Sequence, residues 1–178
     1  MTDALSFVLR RWPLFAALAS ASALAFAHLT EQFGLQPCHL CLQQREVYWV
    51  ALLIAAVGMG LQVSRPVIGR WPAKAAIVLL GATFLFGAGL AAYHAGVEWR
   101  WWAGPASCTG GGGAVSMQDL TASLTGGVRA PMCDVAPGYV LGLSMAGWNA
   151  LLSLGLALMS AAALRKREEA LPSETVLV

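Results

Sequence analysis

The segment AAIVLLGATFLFGAGLAAY, Ala75–Tyr93, carries no charged side chain along its whole length. A helix needs roughly 17–25 apolar residues to cross about 30 Å of hydrocarbon, and this run has that length. Three further stretches read the same way: Trp12–Leu29, Val47–Val63 and Tyr139–Leu164. None alternates apolar with polar residues as the strands of a closed barrel do. All are rich in Ala, Leu, Gly and Ser, the small and apolar residues of packed membrane helices. Of the 178 residues, 58% are hydrophobic and only 11% charged. Soluble domains carry about 25% charged residues, so an ordinary soluble fold is excluded. The expectation is an all-α membrane protein, a four-transmembrane-helix bundle forming one integral membrane domain over residues 1–178. Its spans lie near 12–29, 47–63, 75–93 and 139–164, with outer loops at 30–44 and 96–138.

The basic residues orient this bundle. Arg10, Arg11, Arg65, Arg70, Lys74, Arg165, Lys166 and Arg167 fall on one side, and Arg45, Arg100 and Arg129 on the other. The excess of Lys and Arg marks the cytoplasmic side, which puts both termini there. Arg10 and Arg11 before an apolar run, with Ala25-Phe26-Ala27 near its end, also fit a cleaved signal peptide. That reading is the weaker one, because it leaves three spans and breaks the charge agreement. No basic aromatic surface points to nucleic acid.

All four cysteines then sit on the outer side, where thiols can be oxidised. Cys38 and Cys41 form a Cys-x-x-Cys pair after Pro37, with the second helix expected to begin near Cys41. Arg45 follows one helical turn after Cys41, on the same face, where a guanidinium lowers a thiol's pKa. An interfacial anchor is the competing reading of Arg45. Cys108 and Cys133 flank 24 residues of the long loop, including the glycine run Gly110–Gly113, a flexible hinge. Ser116-Met117-Gln118-Asp119 is a capping box, and Met117, Leu120 and Leu124 would line one face of a short surface helix. A bridge across this loop would be open to a soluble protein and able to swing back toward Cys38 and Cys41, although four cysteines allow three pairings. Inert structural bridges are characteristic of small secreted domains without a core. A zinc site lacks the usual paired spacing, so no metal is expected. Covalent haem needs His where Leu42 stands. The glycine run lacks the Lys-Ser/Thr of a phosphate-binding loop. Redox relay is the reading that remains. Trp99, Trp101 and Trp102 read as an aromatic belt at the membrane surface.

These features together resemble the disulfide-bond formation protein B (DsbB) family of bacterial inner-membrane proteins, over nearly the whole chain. The resemblance rests on Pro37-Cys38-His39-Leu40-Cys41 followed by Gln44-Arg45, on Tyr93–Trp99, on Gly104–Cys108, and on Leu141–Met145 with Trp148-Asn149. One departure is Pro137-Gly138-Tyr139, where some members carry tryptophan. The resemblance implies a protein-dithiol:quinone oxidoreductase using ubiquinone or menaquinone, with a periplasmic thioredoxin-fold oxidase of the DsbA kind as partner. It implies that a Cys108–Cys133 disulfide oxidises that partner through Cys108, and that Cys133 then attacks Cys38. The released Cys41 thiolate would face the quinone, supported by Arg45. His94 matches a family histidine at the quinone and competes with a plain interfacial reading; Gln44 is a further candidate there. A vitamin K epoxide reductase-like enzyme is the chemical rival, but its Cys-x-x-Cys falls late in the chain. A non-catalytic membrane protein with structural bridges is the other.

Overall fold

A computed structural model describes residues 2–63, 71–105, 108 and 132–169. The glycine hinge and the surface helix expected over Met117–Leu124 lie outside the described residues. Helix α1 covers Thr2–Arg10, α2 Trp12–Gln32, α3 His39–Val63 and α4 Trp71–Glu98. A small hairpin follows, β1 Tyr139–Val140 and β2 Leu143–Ser144, and then α5, Met145–Glu169. Four of these helices, α2 to α5, are long and apolar enough to cross a membrane, and the chain is an all-α membrane bundle.

Neighbours in sequence pack as neighbours in space, with α4 and α5 sharing the most extensive interface. Small residues make the close approaches. A Cβ placed on Gly87 would stand 2.9 Å from Cγ1 of Val47, and one on Gly81 would stand 3.2 Å from Cβ of Ser160. Trp12, Tyr48, Ile77, Leu80 and Phe84 fill the dry centre. The indole Nε1 of Trp12 donates to Oγ of Ser160 at 2.8 Å, and that hydroxyl donates to the carbonyl of Leu156 at 2.9 Å. The first apolar helix is thereby tied into the bundle by its own tryptophan. Large apolar side chains such as Leu53, Phe86 and Leu158 point outward. Apolar residues outside and small or polar residues inside is the pattern of a bundle solvated by lipid.

Two boundaries differ from the sequence expectation. Residues 139–144, read as the start of the last span, form the hairpin instead. Leu141 and Gly142 have φ of 51° and 82°, the two left-handed positions of a tight primed turn. Glycine adopts this freely, whereas Leu141 costs on the order of 1–2 kcal/mol. Ser144 then caps α5, its Oγ accepting from the amide of Gly147 at 3.1 Å. The indole of Trp148 holds the hairpin by donating to the carbonyl of Val140 at 2.8 Å. The second difference is at α3, which begins at His39 rather than near Cys41, and its cap is part of the site.

At the end of α4, Trp102 is more than a belt residue. It folds back so that its indole donates to the carbonyl of Tyr93 at 2.9 Å, with the Tyr93 ring stacked on it at 6.0 Å between centroids. Beneath the indole lies Gly96, where a Cβ would come 2.1 Å from Cζ2 of Trp102. Gly96→Ala is expected to expel Trp102 and destabilise the protein by about 1–3 kcal/mol, as overpacking does. Thermal unfolding in detergent checks this. An unchanged midpoint would show that the indole does not seat there.

Candidate redox site

Cys38 is the N-cap of α3. The amide of Leu42 donates to its carbonyl at 3.1 Å, which is the first helical hydrogen bond, and the amide of Cys41 donates to its Sγ at 3.2 Å. The sulfur therefore occupies the place usually held by a serine or aspartate oxygen, where the helix N-terminus favours negative charge. Sγ of Cys41 lies 2.7 Å from Sγ of Cys38, and both are thiols in this state. The pair is close enough to join with little motion.

His94, on the last turns of α4, brings Nε2 to 3.6 Å from Sγ of Cys38. The Cys41 thiol donates to the Cys38 sulfur, and this contact outweighs burial; with His94 and the Cys41 amide it holds Cys38 far below the usual thiol range, at about 4. The sign is that of an acid with a depressed folded value. The stabilisation is present above the unfolded thiol range, about 8.5, and is lost as pH falls through about 4. Reduced protein is expected to keep its ultraviolet thiolate absorbance down to about pH 4, and to unfold at a higher temperature at pH 8 than at pH 5. A thiolate midpoint near 8.5, the free-thiol value, would contradict the cap.

The second pair meets the first. Cys108 and Cys133 form a disulfide, and Cys38, Leu40, Val97, Cys108 and Cys133 pack as one buried cluster. The Cys38 and Cys133 sulfurs and a His94 ring nitrogen all lie within 4.8 Å of one another. Bonded to Cys108, Cys133 is no thiolate donor for a metal. The bridge was expected at the surface of a mobile loop, yet Cys133 is 1% exposed and Cys108 4%. It is held by the amide of Cys108 on the carbonyl of Pro105 at 2.8 Å and the amide of Cys133 on the carbonyl of Cys108 at 2.9 Å.

A chain of polar side chains runs from this cluster into the bundle. Nε2 of Gln44 donates to Nδ1 of His94 at 2.8 Å, so the neutral ring carries its proton on Nε2, facing Cys38. Oε1 of Gln44 accepts from Nδ2 of Asn149 at 2.5 Å. Asn149 in turn accepts from the Tyr48 hydroxyl, which contacts Oγ of Ser153 at 3.0 Å. Gln44 thus links α3, α4 and α5. Glu98 closes the other side of His94, with Oε1 at 3.8 Å from Nε2 and its side chain only 1% exposed. Its second oxygen has no hydrogen-bond partner, and the Ser144 hydroxyl is directed at the carboxyl.

Arg45 lies one turn beyond Cys41 in α3. It shares a face of α3 with Cys41, but its guanidinium crosses to α2, where Nη1 pairs with Glu31 and Nη2 donates to the carbonyl of Ala27 at 3.2 Å. The groups that lower the Cys38 thiol are the partner thiol, the imidazole and a backbone amide. Glu31, Tyr48, Glu98 and Asn149 were not singled out in the sequence. Glu98 did leave a signal, as the only acid between Glu46 and Asp119 and one turn after His94.

A four-helix membrane bundle with one disulfide buried against a capped dithiol defines a protein of thiol–disulfide exchange at the membrane. The family model for Disulfide bond formation protein DsbB matches residues 9–163, so the chain belongs to the DsbB family and is a multi-pass membrane protein of disulfide-bond formation. No curated protein and no solved structure matches it.

Proposed function

We propose that the protein is a dithiol:quinone oxidoreductase of the bacterial inner membrane, with both termini cytoplasmic and the cysteine loops periplasmic. It reoxidises a DsbA-like thioredoxin-fold oxidase and passes the electrons to ubiquinone or menaquinone. The observation that carries this reading is the meeting of the two cysteine pairs, with the Cys38 and Cys133 sulfurs within 4.8 Å.

The exchange balances as follows. A partner thiolate attacks Sγ of Cys108, breaks the Cys108–Cys133 bond and releases Cys133 as a thiolate. Cys133 attacks Cys38 in the oxidised Cys38–Cys41 pair, and Cys41 leaves. The partner's second thiol closes its own disulfide and frees Cys108. Cys108 then attacks Cys133, restores Cys108–Cys133 and expels Cys38. The net change is one disulfide made in the partner and one dithiol at Cys38 and Cys41. This sequence leaves a Cys108–Cys133 disulfide beside a dithiol at Cys38 and Cys41. Its last step favours a leaving thiol of low pKa, which the cap and His94 supply at Cys38. Because Cys108 is buried here, the partner reaches it when this pair stands further out.

The residues suit a quinone. Cys41 is the least buried cysteine and adjoins Leu42, which is 46% exposed on the bundle's outer surface. Cys41, Arg45, His94 and Gln44 would hold the ring, with cationic and imidazole donors for its oxygens. Bound there, a quinone supplies a sink for two electrons and two protons. His94 holds a proton at Nε2 beside Cys38, and Glu98 offers a carboxyl oxygen on the same nitrogen.

The test is purified protein with a quinone and a reduced thioredoxin-fold oxidase, following quinone absorbance. Turnover with a trapped mixed disulfide at Cys108 supports the proposal. Neither signal, with Cys41→Ala unchanged, points to the non-catalytic reading. Arg45 has its own test, because its ion pair also braces α2 against α3. Arg45→Met is expected to raise KM for quinone about tenfold, the scale of one charge-assisted hydrogen bond, while Glu31→Gln leaves KM within about twofold. Equal losses in both variants would reduce Arg45 to a strut.

A further inference from the structure

At the end of the bundle opposite the cysteines, a cavity of about 890 Å³ opens among all five helices. Arg10, Arg11, Lys74, Lys166 and Arg167 line it, and among the described residues no acid does. Arg167 is oriented at the rim by donating from Nη2 to the carbonyl of Arg10 at 3.3 Å. Arg10, Arg11, Lys74 and Lys166 around one space repel one another, and an anion in the cavity relieves that repulsion. The general excess of Lys and Arg on one side of a membrane protein accounts for the charges but not for their gathering about a cavity.

Two features say what kind of anion fits. A second, smaller recess of about 390 Å³ shares Leu9 and Lys166 with the first and continues along α5 past Ala162, Ala161 and Leu158. A basic chamber thus adjoins a recess that is apolar at Leu9, Leu158, Ala161 and Ala162 and charged at Arg165, Lys166 and Glu169. Beside it, α1 buries Leu9 in the bundle while Leu5 and Phe7 remain 51% and 56% exposed, the pattern of a short helix lying in the membrane interface. We infer that this end of the bundle binds one anionic phospholipid, its phosphate headgroup in the basic cavity and an acyl chain along the α5 recess. Basic pockets between membrane helices recognise anionic headgroups by the same chemistry.

Intact-mass measurement of the full-length protein released from micelles tests this. Micelles are doped in separate arms with phosphatidylglycerol, cardiolipin or phosphatidylcholine, and a further arm carries inorganic phosphate alone. The expected result is one retained phosphatidylglycerol or cardiolipin per chain and none of the neutral lipid. A triple variant, Arg11→Gln with Lys74→Gln and Lys166→Gln, should retain it on the order of a hundredfold more weakly, since each basic residue near the surface adds roughly a fivefold factor. The single variants Lys74→Gln and Lys166→Gln should each show a partial loss, which keeps the test decisive if the triple variant does not fold. Equal retention by these variants, or of phosphatidylcholine, overturns the proposal. Retention of phosphate without lipid overturns the lipid as the source. Thiol oxidation plays no part in the measurement, so its outcome is independent of the redox reading.

Discussion

Cys133→Ser is expected to drop turnover driven by a reduced thioredoxin-fold protein to background, at least about a thousandfold, equivalent to roughly 4 kcal/mol of barrier. The same variant should reduce quinone within about threefold of wild type when a small dithiol feeds Cys38 and Cys41 directly. The split follows from geometry. Cys133 is the sulfur that stands within 4.8 Å of Cys38, and it is 1% exposed, so no outside thiol takes its place. Without it, Cys108 is a lone thiol, and the partner's thiolate has no disulfide to attack. The partner should therefore stay reduced, with no mixed disulfide formed at Cys108. The dithiol pair keeps its cap, its imidazole and its contact between sulfurs, none of which Cys133 supplies by hydrogen bonding. Partner-driven turnover within tenfold of wild type would mean the pairs do not exchange through Cys133. Loss of the small-dithiol reaction as well would mean the two pairs are one inseparable unit.

Hydropathy made the bundle legible because lipid imposes the same demand on every residue of a span, whichever helix it later meets. The hairpin at 139–144 escaped for that reason: Tyr139, Val140, Leu141 and Leu143 are as apolar as the helix that follows. Only the Leu141-Gly142 turn separates them, through backbone angles that hydropathy does not register. The four cysteines were legible by type and placement, but their pairing was not, since spacing alone leaves three choices. Spacing rules see one helix at a time. Cys41 and Arg45, one turn apart, suggested a thiolate held by a guanidinium. The actual partners of that guanidinium sit on α2, at Glu31 and Ala27. Cys38 drew no such attention because its stabilisers are a helix end starting two residues earlier than expected and a histidine 56 positions away. Gln44 was a minor candidate, and Asn149 was noticed only within a family-like segment. Their importance lies in bonds between helices.

Those bonds lead to the second large expected effect: Gln44→Leu should slow the thiol-to-quinone step about 10–100-fold. Gln44 is 7% exposed and spends both ends of its amide, Nε2 on Nδ1 of His94 and Oε1 on Nδ2 of Asn149. Leucine matches the volume and supplies neither bond. A buried donor and a buried acceptor are then left without partners, each worth about 1–3 kcal/mol. Only the His94 side bears on the chemistry. Once Nδ1 loses its donor, the imidazole can carry its proton there instead, and Nε2 turns from a donor toward the Cys38 sulfur into an acceptor. At about 1.4 kcal/mol per factor of ten, losing that orientation gives the stated range. Because His94 helps hold Cys38 at about 4, the thiolate midpoint should rise in the same variant. Asn149→Leu serves as the control. It removes the outer bond and leaves the amide of Gln44 on His94, so it should lower the unfolding temperature but change the midpoint and rate much less. A Gln44→Leu protein that unfolds earlier yet keeps both the wild-type rate and the wild-type thiolate midpoint would assign Gln44 to packing, and would remove His94 from the redox step.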